Sequence, residues 1–278
     1  MIDRNDKKYS TSTLPAFAML SGNARFLAET YPPVFVFAVV SWGCSATGWL
    51  ARVLNSHPDI LCLHAGSSFW AELSNTPPLD SISYIRILAC LGYAHKVAGD
   101  IHGVARHDIP QLREAFGSLF NAAVVVRDPL PRLRSQLALF ERSGWSDHWR
   151  TDDIPAILHE KNVILPTGNK QEMLFVHGAR MLNAITEEFS VGNVYRSEDL
   201  TSSTDMLSEF ISDISQGTVQ SENTWLEDAV AVTNINSHAN PKTEISFSDW
   251  QMDVITKIVE PAAWEYYEVL GYQRPDFL

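Results

Sequence analysis

The sequence predicts an α/β domain built on a central, mostly parallel sheet flanked by helices. Three observations predict it. Short, continuous apolar runs recur along the chain, which is how strands buried on both faces read. Stretches with helical spacing alternate with those runs. The loop after the first run is small, hydroxyl-rich and leads directly into a helix.

The elements follow in order. Residues 1–30 form an N-terminal leader of weak pattern, and 31–278 read as one domain. Val34 to Val40 is the first strand, buried and β-branched. Trp49 to Leu54 fits a short helix that must end before Pro58. Ile60 to Leu63 is a second strand, and Ile82, Ile85, Leu88 and Ala89 fall at helical spacing. Lys96 to Ile101 is a third strand, followed by a helix over Pro110 to Phe120 with proline in its first turn. Ala122 to Val126 is a fourth strand and Leu133 to Phe140 a helix. Leu174, Gly178, Met181, Leu182, Ile185 and Phe189 mark one longer amphipathic helix. Val194 to Arg196 is a late strand. Ser248-Asp249-Trp250-Gln251 reads as a capping box opening a helical region that ends at Gly271. Residues 143–170 and 216–247 are polar and turn-rich, the expected places for flexible loops or a lid. There is no internal repeat and no low-complexity tract.

Composition narrows the function classes. The 278 residues are 45% hydrophobic, ample for a core. Net charge is −12, which excludes a general binder of duplex DNA. The charge is uneven: 14 basic and 12 acidic side chains before residue 151, then 7 basic and 21 acidic ones. A small anion is therefore expected in the first half. Cys44, Cys62 and Cys90 make neither a disulfide framework nor a paired zinc spacing. No basic start is followed by an apolar stretch of signal-peptide type. The uncharged stretch from Tyr31 to Ala51 is interrupted by Pro32, Pro33, Gly43 and Gly48, so no membrane span is expected. A soluble, cytoplasmic setting is the simplest account.

Two segments carry chemistry. In an open parallel sheet, ligands bind outside the carboxyl ends of the strands. There the loop Ser41-Trp42-Gly43-Cys44-Ser45-Ala46-Thr47-Gly48 aims backbone N–H groups and a helix start at one spot, a cradle for phosphate. Gly43 and Gly48 have the gap of an ATPase phosphate loop, but Trp49 stands where its lysine belongs. A tight strand-to-helix turn without a ligand is the plain alternative. Further on, Arg127 and Ser135 flank a turn made by Pro129 and Pro131, and both can converge on one phosphate. An Arg127–Asp128 surface pair is the alternative there.

Together these segments resemble the sulfotransferases that use 3′-phosphoadenosine 5′-phosphosulfate (PAPS). Cys44 to Leu50, continued to Pro58, looks like the family's 5′-phosphosulfate loop and first helix. Val126-Arg127-Asp128-Pro129 through Ser135 looks like its 3′-phosphate motif. Val194 to Leu200 is similar to a later family segment, and Glu268 to Tyr272 to the ending of many bacterial members.

The resemblance implies a P-loop-like three-layer fold and sulfuryl transfer from PAPS to a hydroxyl or amine of a small-molecule or glycan acceptor. Adenosine 3′,5′-bisphosphate is the product, and no metal is implied. Ser45, Ala46, Thr47 and Gly48 would surround the phosphosulfate. Trp49 would stack on adenine or else sit in the core. Arg127 and Ser135 would hold the 3′-phosphate. His102, or alternatively Asp100, would be the general base. Cys44 replaces the family's usual lysine or arginine, and Ser197 replaces its usual tyrosine. Lys242 is the cation available to cover the nucleotide, or else an exposed loop lysine. Arg132 and Arg134 read as a solvated helix face for at least one of the two. The departures also admit a relative without catalysis, serving as a sensor or partner-binding module. Trp42, Phe69, Trp70, Trp145 and Trp149 are candidates for an acceptor pocket or for core. Acceptor identity and oligomeric state are not readable.

Overall fold

The computed structural model describes residues 34–41, 44–65, 80–92, 94–143, 152–231 and 246–278. Trp42, Gly43, Phe69, Trp70, Trp145, Trp149 and Lys242 lie outside the described residues. The chain divides into two compact units. One holds 5–126 and 191–238 and carries the sheet; the other holds 127–190 and 239–278, with the first four residues.

In the sheet unit, strands β1 (Phe35–Ser41), β2 (Ile60–His64), β3 (Val97–Ile101), β4 (Phe120–Val126) and β5 (Asn193–Arg196) form one sheet in the order β2-β3-β1-β4-β5. Every neighbouring pair is parallel. The expected fold class, α/β around a parallel sheet, is what the structure shows. Strands β1 to β4 are mostly apolar because helices cover both faces.

Side chains alternate across the sheet. Phe37, Val39, Cys62, Val97, Ile101, Ala123, Val125 and Tyr195 join one core cluster. Into it pack α1 (Thr47–Ser56), α9 (Thr204–Ile214) and α10 (Asn223–Ala231). On the opposite face lie α2 (Ser81–Leu91) against β1 and β3, and α3 (Ile109–Phe116) against β4. A short helix α8 (Ser197–Leu200) follows β5. Gly99 is required on β3, because a Cβ there would fall 2.3 Å from the Phe37 carbonyl oxygen.

Besides the four-residue α8, three helices lie where loops or no element were expected. α9 has a plain signal: Leu207, Phe210, Ile211 and Ile214 share one buried face, and the Ser203 side chain accepts from Met206 N–H. α10 falls inside the stretch expected to be a loop, with only Leu226 and Ala229 buried. α5 (Ile154–Glu160), in the other unit, is a short helix with proline in its first turn. The helix expected over 110–120 stops at Phe116, because Gly117 takes φ 54°.

The second unit is helical in its described residues. α4 (Pro129–Ser143) packs on α6 (Lys170–Arg180), which also meets α5 and α11 (Asp249–Ile258). The single helix expected over 174–189 is α6, a 3₁₀ turn (Met181–Ala184) and α7 (Ile185–Glu188). α12 (Pro261–Val269) packs on α7. The capping box at Ser248 is present, with Gln251 Oε1 accepting from Ser248 N–H at 2.9 Å. Gly178 lets α4 close on α6, since a Cβ there would meet Leu133 Cδ1 at 2.6 Å. Arg132 is buried at 4% exposure, whereas Arg134 is exposed, so one of the two arginines lies on the solvated face as expected. No described helix is long and apolar enough to cross a membrane.

Candidate active site

The carboxyl ends of β1, β2 and β3 meet at one edge of the sheet unit. The chain leaves each of them through residues with left-handed backbone. Cys44 (φ 70°) and Ala46 (φ 57°) follow β1, Ala65 (φ 53°) follows β2, and His102 (φ 71°) follows β3. Each such conformation costs an L-residue about 1–2 kcal/mol, and such outliers cluster at functional sites.

After β1, Ala46 is the N-cap of α1 and offers no side-chain cap. No acidic residue lies in the first turn. Ala46 has no side chain that could cap the opening N–H groups of α1, and a helix start of this kind suits an anion. Ser45 and Thr47 are both buried. Ser41 is tied back into the sheet, its hydroxyl donating to Val125 O at 2.7 Å. Cys44 is half-buried and is a free thiol, like Cys62 and Cys90. Trp49 is buried at 4% exposure inside the core cluster.

His102 is fixed at two points. Its N–H donates to Val39 O at 2.9 Å, and its Nδ1 bonds the carbonyl oxygen of Ser41. A carbonyl only accepts, so Nδ1 carries the proton and, in the neutral ring, Nε2 carries the lone pair. That is the tautomer a general base needs.

His64, one residue beyond the expected strand Ile60 to Leu63 and the last residue of β2, stands beside it. The two imidazoles stack with centroids 6.3 Å apart and planes 21° apart. His64 Nε2 lies 3.0 Å from Thr47 Oγ1. Crowding by surrounding atoms, then the neighbouring His102, lowers the His64 pKa to about 4. His64 is nevertheless an exposed residue, so water offsets part of that penalty. The available signal for His64 was its place at the carboxyl end of a parallel strand.

Asp100 lies elsewhere. It is fully buried on the α2 face, where Tyr84 donates to Oδ2 at 2.5 Å. Its Oδ1 sits 2.2 Å from where a Cβ on Gly103 would stand, so the carboxylate underlies the turn that carries His102. Burial first, and then Asp100, push the Tyr84 phenol well above its ordinary range.

In the helical unit, Arg127 Nη1 donates to Ser135 Oγ at 3.2 Å, so the two side chains lie together. The turn between them is set by Asp128, whose Oδ1 accepts from Leu130 N–H at 3.2 Å. Among the described residues no group of three or more His, Cys, Asp or Glu side chains is placed to hold a metal.

No family model matches the chain, and no curated protein matches its sequence. Among solved structures it is similar to a sulfotransferase from Alicyclobacillus acidocaldarius, at 13% identity and a TM-score of 0.46. That likeness covers 88% of this chain and 99% of the other.

Proposed function

We propose that the protein is a cytoplasmic sulfotransferase that moves a sulfuryl group from PAPS to a hydroxyl or amine of a small-molecule or glycan acceptor. The observation that supports this most is His102, held in the base tautomer by Ser41 O beside a left-handed anion loop whose N-cap, Ala46, has no capping side chain. His102 Nε2 takes the acceptor proton. The acceptor oxygen or nitrogen then bonds to sulfur as the bond from sulfur to the phosphate oxygen breaks, releasing adenosine 3′,5′-bisphosphate. Direct in-line transfer of this kind needs no covalent enzyme intermediate, so Cys44 has no nucleophilic task.

On this reading Ser45, Ala46, Thr47 and Gly48 receive the phosphosulfate through backbone N–H groups. Arg127 and Ser135 are given the 3′-phosphate, and Lys242 the task of covering the nucleotide. Buried Asp100 supports the His102 turn, and buried Trp49 serves the core. A second reading is favoured by one specific feature: loop residues 44–48 contain no lysine or arginine. Losing a preorganised cation typically costs about a hundredfold or more in rate. A nucleotide-binding relative without turnover fits that loss.

A thermal-shift comparison separates these. Adenosine 3′,5′-bisphosphate should stabilise the protein and ATP should not. PAPS turnover with pooled phenol, steroid, sugar and lipid acceptors should then be lost in His102→Ala while nucleotide stabilisation is kept. Equal stabilisation by ATP, or none by either, overturns the proposal. Binding without turnover on any acceptor favours the second reading.

A further inference from the structure

The loop that would meet a dianion holds no cation, and Arg52 on α1 is exposed. Beside the loop, among the described residues, the stacked histidine pair can supply charge, and His64 already touches Thr47. We propose that His64 is a positioning residue that takes up a proton when an anionic phosphate or sulfate group occupies the loop, supplying the missing positive charge through Thr47. This inference rests on the anion-loop reading above and goes beyond it, because nothing in that reading gives His64 a role.

The geometry carries it. His64 Nε2 and Thr47 Oγ1 are 3.0 Å apart, and Thr47 is the first residue of α1. With Nε2 unprotonated, the Thr47 hydroxyl donates to it and points away from the loop. A proton from solvent on Nε2 reverses that bond: Nε2–H donates to Thr47 Oγ1, and the hydroxyl hydrogen turns to the anion. One protonation thus adds a positive charge beside the anion and a hydroxyl donor to it. The exposure of His64 gives the proton its path.

The neighbouring groups define when this happens. β2 packs against α1 and β3. Those elements and their loops bring Arg52, Asp100, His102 and Cys44, and Cys62 shares the strand. Asp100 accepts from Tyr84 on the α2 face. Burial of His64, and then the stacked His102 imidazole, disfavour a charge on His64. Without an anion beside it, His64 is therefore neutral at neutral pH. An opposite charge within roughly 4–6 Å favours the charged form and reverses that preference. Binding is then coupled to uptake of a proton, so affinity must fall as pH rises.

Isothermal titration of the full chain with adenosine 3′,5′-bisphosphate, at pH 6 in MES and in Bis-Tris, reads proton uptake from the difference in heat. The nucleotide's own phosphate titrates in the same range, so the readout is wild type against His64→Gln. Gln keeps a partner for Thr47 but cannot take a proton. Wild type should take up close to one proton more than His64→Gln. Its affinity relative to that variant should fall about tenfold per pH unit across the window in which His64 is neutral when free and charged when bound. Ring-nitrogen NMR of the wild type at pH 6, needing no variant, should show His64 neutral alone and imidazolium with the nucleotide. Inorganic phosphate and sulfate serve as parallel probes. Binding with equal proton uptake in both proteins, or a neutral His64 in the complex, overturns this inference and leaves the sulfotransferase reading standing. Absence of binding by every probe overturns both.

Discussion

Replacing Tyr84 with phenylalanine isolates one buried hydrogen bond. Tyr84 and Asp100 are both 0% exposed, and the phenol donates to Oδ2 at 2.5 Å. The carboxylate cannot turn to water for a substitute, because it is boxed between α2 and the Gly103 turn. A hydrogen bond to a charged group is worth about 1.5–3 kcal/mol, and leaving a buried acceptor short carries the full desolvation cost. We expect Tyr84→Phe to lower stability by about 2–3 kcal/mol. Urea unfolding followed by circular dichroism would show this as a midpoint about 1 M lower with an unchanged slope, taking a slope near 2–3 kcal/mol/M. In an Asp100→Asn background the acceptor is neutral, and the same substitution should cost about half as much. A loss under about 0.5 kcal/mol, the size of an exposed surface change, would refute the reasoning. An equal loss in both backgrounds would show that the carboxylate charge plays no part.

Other outcomes follow from the same structure. Burial raises the pKa values of Tyr84, Tyr195 and Tyr267 above the ordinary tyrosine value of 10, and that of Cys62 above 9. Groups with folded-state values raised in this way contribute stability that is whole below the unfolded value. Urea midpoints should therefore hold to about pH 9 and fall as pH rises further, each tyrosine adding a slope of up to about 1.4 kcal/mol per unit above pH 10; a flat profile to pH 11 would contradict the burial. If Arg127 holds the 3′-phosphate as proposed, Arg127→Ala should weaken adenosine 3′,5′-bisphosphate about 10- to 100-fold by titration calorimetry while sparing adenosine 5′-phosphate, since one charged contact is lost. Gly99→Ala places a methyl 2.3 Å from Phe37 O and 2.5 Å from its ring, so it should cost about 1–3 kcal/mol or abolish soluble expression.

The sheet was legible because strands buried on both faces have an apolar pattern that little else imitates. β1, β3, β4 and β5 lie within two residues of the runs that predict them. The helices over 204–214 and 223–231 were harder for different reasons. The first has full periodicity that the turn-rich surroundings obscure, and the second buries only Leu226 and Ala229. Within the site, the loop and His102 stood out by their place after strands. His64 did not, because its contact with Thr47 joins residues 17 positions apart and exists only once β2 lies in register with β3. Nor does residue type distinguish Asp100, buried beneath a turn, from an exposed acid; only its partner Tyr84 does.

The division of the chain also bears on the order of synthesis. β4 ends at Val126 and its partner β5 begins only at Asn193, after the chain has gone through 127–190 of the other unit. A ribosome making this protein therefore exposes β4, apolar from Ala122 to Val126, with one side unpaired while the intervening segment is translated. Open strand edges of that kind recruit other chains. Slow passage through residues 127–190, or a truncation inside them, should be the point at which newly made chains aggregate. Gly192, whose Cβ would sit 1.9 Å from Ala122 O, is then the residue through which the returning strand closes that edge.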